Sequence, residues 1–252
     1  MQKSIISILL FITIFHFQQL QSQVPAEEPK TVLYRTEHFW GINIHTAGWG
    51  FSYRYGKHVT GTIKRGYDIE FVTMSSPKEY HINNQNYDNS KQYVYGKLNS
   101  FFIVRTGIGR QKLLFYKPER KGVEVKYFSY FGISHGILKP IYLEIINILP
   151  SLNQVSLSVE KYDPLKHFPE NIYGRASFTE GLNQISYLPG LYLKGGLNFD
   201  FADYDENERI RMLEIGAILD AFPKNVPIMA LTNNDKFFLN LYIAFHFGKK
   251  NP

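Results

Sequence analysis

The residues best placed for chemistry in this sequence are charges that recur at every second position inside apolar runs. Arg54, Lys64, Asp68, Glu70, Lys194, Asp200, Glu214 and Asp220 each alternate with large hydrophobic neighbours. In 62–73, Lys64, Gly66, Asp68 and Glu70 interleave with Ile63, Tyr67, Ile69 and Phe71, with Arg65 the exception. On a strand such alternation sends the two sets to opposite faces. Charges of both signs on one enclosed face pair with each other, so the set reads as an ion network filling a lumen. The functional alternative for the same residues is a proton or ion path. A hydrolytic triad is the second chemistry to weigh. Ser134-His135 with Asp220 or Glu214 supplies the residue types, but neighbours on a strand face opposite ways and do not bond to each other. His38, His45, His58, His81 and His167 lack metal-ligand spacing and read as surface or turn residues, and cysteine is absent. Gly107-Ile108-Gly109 reads as a strand end, not a nucleotide loop. No catalytic residue, metal or cofactor is expected.

Two clusters suit binding. Arg110, Lys112, Lys117, Arg120 and Lys121 crowd one short turn against Glu119 alone. Such a turn is either simply solvated or docks an acidic periplasmic or envelope protein, with Leu113, Leu114 and Phe115 adding apolar contact. Tyr80, Tyr87, Tyr93 and Tyr95 read either as a sugar- or partner-binding surface or as a girdle at a lipid interface.

The elements that position these residues are strands. In the closing one, Phe237, Leu239, Leu241, Ile243, Phe245 and Phe247 alternate with smaller or polar residues such as Asn240, Ala244 and His246. Earlier segments repeat the code. Trp40, Ile42 and Ile44 alternate with Gly41, Asn43 and His45, and Trp49, Phe51, Tyr53 and Tyr55 with Gly50, Ser52, Arg54 and Gly56. A fourth strand from about Lys97 has no clear outward parity, a fifth follows from Val123, and a sixth and seventh carry Leu191 to Phe201 and Met212 to Asp220. Counted from the N-terminus, the second, fourth and sixth connections are short and the third, fifth and seventh long. That alternation is what a membrane barrel with short periplasmic turns requires and a soluble sandwich does not. The fold expected is all-β: a closed antiparallel transmembrane β-barrel spanning 36–248 with eight strands. The count is ten if 138–188, otherwise a structured surface excursion, adds two.

The chain has 252 residues, 44% of them apolar and 16% aromatic, with a formal net charge of +6. That suffices for a buried core, and the basic balance suits lipopolysaccharide, anionic lipid or an acidic protein. No basic helix or aromatic-plus-basic module points to nucleic acid. Lys3 followed by the apolar run Ile5 to Phe15 reads as a cleaved signal peptide over 1–22, with 23–35 an N-terminal tail and 249–252 a C-terminal one.

Val94-Tyr95-Gly96-Lys97-Leu98-Asn99, Glu160-Lys161-Tyr162-Asp163-Pro164, Asn171-Ile172-Tyr173-Gly174-Arg175-Ala176 and the closing Phe247-Gly248-Lys249 carry a resemblance. With these strings the sequence resembles the small outer-membrane β-barrel proteins of Bacteroidota-type Gram-negative bacteria. The resemblance implies the fold and an outer-membrane location and leaves the role open, since such barrels include adhesins, pores, lipid-modifying enzymes and accessory subunits. The expected function is non-enzymatic: an accessory or structural part of a larger envelope complex. A lipid-modifying hydrolase and a narrow pore are the alternatives.

Overall fold

Alternation at period two produces long strands that close on themselves. The computed structural model describes residues 36–85, 87, 89–116, 122–149, 154–202 and 209–251. The expected signal peptide and N-terminal tail lie outside the described residues, as do Lys117, Arg120 and Lys121. The strands are β1 (Thr36–His45), β2 (Gly48–His58), β3 (Ile63–Met74), β4 (His81–Ile82), β5 (Tyr93–Val94), β6 (Asn99–Phe115), β7 (Glu124–Pro140), β8 (Tyr142–Leu149), β9 (Gln154–Lys161), β10 (Ile172–Arg175), β11 (Ser186–Asp200), β12 (Arg209–Ala221) and β13 (Phe237–Asn251). Eight of them form a closed barrel in the order β1-β13-β12-β11-β7-β6-β3-β2. Its neighbours are all antiparallel, and β1 meets β13 from Thr36↔Asn251 to His45↔Tyr242. Closure leaves no sheet edge with unpaired backbone groups.

The outward faces are apolar. On β13 the six side chains from Phe237 to Phe247 are between 49% and 69% exposed, while Asn240, Tyr242, Ala244 and His246 are buried. Trp40, Ile42 and Ile44 stand beside Phe247, Phe245 and Ile243 in register and continue the belt onto β1. A strand rises about 3.4 Å per residue, so Phe237 to Phe247, tilted by roughly 40°, covers about 25 Å of height, the outward apolar band of a membrane barrel.

Inward, large rings are accommodated by glycine on the adjoining strand. Tyr130 stands opposite Gly109, and Tyr242 opposite Gly216. A Cβ on Gly109 would lie 2.5 Å from the Tyr130 ring, and one on Gly216 2.9 Å from that of Tyr242, so both strands need the missing side chain.

The expected eight-stranded wall and surface excursion are found, and two other expectations are corrected here. Ile141 to Leu149 and Val155 to Val159 are strands, but they join β10 in a separate three-stranded sheet, order β10-β8-β9, so the barrel count is eight, as expected, and the excursion adds none to the wall. Leu143 and Ile145 face Tyr93, Tyr162 and Ile172 in a core of their own, which takes them away from the barrel wall. Gly107-Ile108-Gly109 is mid-strand: β6 continues to Phe115 because β7 pairs with it as far as Phe115↔Val125. Residues 249–251 are not a tail, because Lys249 to Asn251 pair with His38 to Thr36.

Candidate functional site

The lumen is filled in layers. At its centre, Arg54 donates from Nε to Asp68 at 3.0 Å, and from Nη1 and Nη2 to Glu214 at 2.7 and 3.2 Å. Arg105 donates to Glu70 at 2.7 Å and to both oxygens of Asp220. Lys194 lies between the two halves, 3.2 Å from Glu70, 3.4 Å from Glu214 and 3.6 Å from Asp68. Three cations thus face four carboxylates, with His246 Nε2 3.5 Å from Glu214. Tyr242 and Ser134 donate hydroxyl hydrogens to Glu214 and Asp220 at 2.6 and 2.7 Å, and the Asn43 amide donates to Glu70. The side chains of Arg54, Asp68, Glu70, Arg105, Glu214 and Asp220 are fully enclosed. Buried charges persist only when paired, and here Arg54–Asp68 and Arg105–Glu70 pair across neighbouring strands while Arg54–Glu214 and Arg105–Asp220 link strands that are not neighbours in the sheet. Phe39, Phe128 and Tyr130 present their faces to the Arg54 guanidinium, with Tyr130 nearest at 4.4 Å.

Lys64 and Asp200 do not belong to this centre. Both lie in a second layer at the end that holds the start of β1 and the end of β13, where Lys64 meets Glu37 and Lys126 bridges Glu124 at 2.6 Å and Asp200 at 3.4 Å. The lumen set read from sequence therefore splits in two: Arg54, Asp68, Glu70, Lys194, Glu214 and Asp220 converge, and the other two residues do not. Arg105, the residue that ties Glu70 to Asp220, was missed. Its strand is apolar on both faces from Phe101 to Val104, which hides the parity, although Gly107, Gly109 and Gln111 continue its inward row.

The other end of the lumen is apolar. Val72, Met74, Phe101, Ile103, Leu138 and Leu188 from the wall pack against Phe222, Val226, Ile228 and Met229 from the β12–β13 connection, which folds over the mouth. Its backbone is tied to the β3–β6 connection, with Leu98 N–H donating to Ile228 O at 2.8 Å and Ala230 N–H to Gly96 O at 2.7 Å. The β7–β11 connection completes a cap above it. Tyr93, Leu143, Ile145, Tyr162 and Ile172 form the cap's core, and Tyr95 packs edge-on against Tyr162. The three strings 94–99, 160–164 and 171–176 thus meet in one place. Tyr93 and Tyr95 are consequently cap core, neither girdle nor binding surface, and Tyr87 packs on Tyr173. Tyr80 stays exposed, as do Leu165 and Leu231, one large apolar side chain from each of the three long connections.

A tight turn supports the cap's edge. Asp163 N–H donates to His167 Nδ1 at 3.0 Å, which leaves Nε2 to donate to Glu160 at 3.3 Å. Hydrogen bonds from Ser158 and His167 hold the Glu160 carboxyl below its ordinary pKa. His167 is therefore a turn residue, as expected, but a buried one.

The triad residues are separated by the strand. Ser134 faces the lumen and donates to Asp220, while His135 faces outward and bonds Tyr187 Oη at 2.7 Å. The basic turn is divided as well: Arg110 and Lys112 sit on the outward face of β6, within the strand and not at its turn.

No protein-family model matches the chain, and no curated protein matches its sequence. Among solved structures it is similar to Neisserial surface protein A of Neisseria, with 8% identity and a TM-score of 0.40 over 85% of this chain and 95% of that one. Ail, the attachment invasion locus protein of Yersinia pestis, is similar at 9% identity and a TM-score of 0.34, again over 85% of this chain and 95% of that one. The N-terminal β-barrel domain of Pseudomonas aeruginosa OprF matches at 11% identity and 0.31, over 85% of this chain and 98% of that one. The barrel rests on its own closed strand pairing, independently of these likenesses.

Proposed function

We propose that this chain is an integral outer-membrane protein of a Gram-negative cell, exported behind a cleaved signal peptide, and that it serves without catalysis as an accessory or structural part of an envelope complex. The apolar belt and closed strand order favour residence in a bilayer, because every backbone group is paired within the wall. The observation that carries the role is the filling of the lumen by ion pairs at its centre and an apolar plug at its mouth. What remains for function is surface. The cap offers it on one side, with Tyr80, Leu165 and Leu231 exposed over a structured core. A hydrolase finds less support, since Ser134 is committed to Asp220 and His135 faces away from it.

On this reading outer-membrane lipid and lipopolysaccharide surround the belt, and an envelope protein binds the cap. An acidic partner at the terminus-end hairpin, where Leu114 and Phe115 are exposed, is a second docking place. The test is purification of a tagged copy in gentle detergent, with and without Tyr80→Ala, Leu165→Ala and Leu231→Ala together. An envelope protein that co-purifies with the wild type and is lost from the variant supports the cap as the dock. Recovery of the protein alone, with phospholipid hydrolysis in the sample, overturns the non-enzymatic reading.

A further inference from the structure

The outside of the barrel carries an uncompensated row of basic side chains. Register sets Lys57 of β2 opposite Arg65 of β3, and Arg65 opposite Arg110 of β6, while Lys112 follows Arg110 on the same outward face. All four side chains are exposed, and none is ion-paired or hydrogen-bonded within the described residues. Adjacent strands lie about 4.8 Å apart, so Lys57, Arg65 and Arg110 fall within about 10 Å of one another. Like charges directly opposite one another on a sheet destabilise it. Among the described outward positions of the barrel strands at this end, no carboxylate offsets them.

The rows above this one show the depth at which it sits. Moving along the same three strands toward the cap, the outward sets read Tyr55-Tyr67-Ile108, then Tyr53-Ile69-Thr106, then Phe51-Phe71-Val104. The Tyr55 and Tyr67 rings stack at 6.4 Å. Tyrosines of this kind mark the boundary between hydrocarbon and headgroups. The basic row lies one step beyond it, at the level of lipid phosphates.

We propose that Lys57, Arg65, Arg110 and Lys112 form a binding site for the phosphate of an anionic glycerophospholipid in the leaflet at the end of the barrel where Thr36 pairs with Asn251. Arg65 and Arg110 donate paired N–H groups to the phosphate oxygens, and the two lysines supply point charges that flank them. The bound lipid relieves the repulsion that the strand register imposes. The proposal rests on the outer-membrane reading and gives the lipid partner a chemistry and a place.

Native mass spectrometry of the full chain in neutral detergent, with phosphatidylglycerol or phosphatidylcholine added, tests it. The wild type retains phosphatidylglycerol at least about tenfold better, and Lys57→Gln, Arg65→Gln and Arg110→Gln together remove that preference while heat-modifiable gel migration is kept. Should the triple variant not fold, Arg65→Gln alone carries the test, because that residue stands opposite both neighbours in the row. Equal retention of the two lipids, or an unchanged preference in the variant, overturns the site. Displacement of the lipid by millimolar inorganic phosphate alone makes it a free-phosphate site and overturns the lipid assignment. Loss of an acidic co-purifying protein with lipid preference intact makes the row a protein dock and overturns it too. Failure of the wild type to show heat-modifiable folding in any lipid defeats the membrane reading itself, a result distinct from all of these.

Discussion

Arg105 holds Asp220 through two hydrogen bonds, Nε to Oδ1 at 2.9 Å and Nη2 to Oδ2 at 2.7 Å, although β7 and β11 separate their strands in the wall. The pair therefore acts as a strut across the interior. Replacing one partner leaves the other charge buried and unpaired. Arg105→Leu should cost about 3–5 kcal/mol, and adding Asp220→Leu should recover part of it. Urea unfolding of both variants in lipid vesicles checks this, and a neutral single variant would show that the struts do not stabilise the barrel.

Depth along a strand sets the cost of a charge on the belt. Leu241, 62% exposed near the middle of the outward face of β13, should cost about 2–4 kcal/mol as Leu241→Arg, whereas Phe247→Arg near the rim should cost about 0–1 kcal/mol. Equal costs, read from the same unfolding curves, would put the belt's midplane elsewhere.

The filled lumen makes a prediction about transport. Eight strands leave an interior only wide enough for side chains, so the purified protein should open no stable ion channels in a planar bilayer. Steady single-channel currents from the monomer would reopen the pore alternative.

The cap has its own core and should loosen apart from the barrel. Leu143→Ala removes a fully enclosed side chain and should destabilise the cap by about 2–5 kcal/mol. Limited proteolysis should then cut the connections 75–98 and 141–185 sooner, with heat-modifiable migration of the barrel unchanged. Simultaneous loss of both would mean that cap and wall unfold as one.

Acid should open the Glu160 turn. Its carboxyl is held below the ordinary value of 4.5, so the stabilisation is present above that pH and is lost as pH falls through the lowered value. Hydrogen exchange across 158–167 should be slow at neutral pH and accelerate under strong acid, and Glu160→Gln should remove the acid step. Acceleration that the variant keeps would assign the step to another group.

Strand number and facing were legible in the sequence because a wall with lipid on one side and enclosed polar groups on the other imposes a two-residue code. Leu239, Leu241 and Ile243 could hardly be read otherwise. The code fails where both faces are apolar, and Phe101 to Val104 is such a place: Phe102 and Val104 point outward, and Phe101 and Ile103 pack on the plug around Phe222. That ambiguity concealed Arg105. Partners within the lumen were illegible for a different reason, since alternation says that Lys64 and Glu70 point inward but not how far along the axis each one lies. The cap was illegible because Tyr93 comes from the β3–β6 connection and Leu143 and Tyr162 from the β7–β11 connection, and only the folded barrel brings them together.

The seam between β1 and β13 joins segments roughly 200 residues apart, and it is the longest-range pairing in the wall. No partial chain can seal. Until β13 arrives, β1 and the last completed strand both expose unsatisfied edges, and the cost of closing so long a loop is met only when the whole ladder from Thr36 to His45 can form. Assembly must accordingly be a late, all-or-none event. The waiting polypeptide then needs an escort that covers its open rims, a demand set by the order of strands alone.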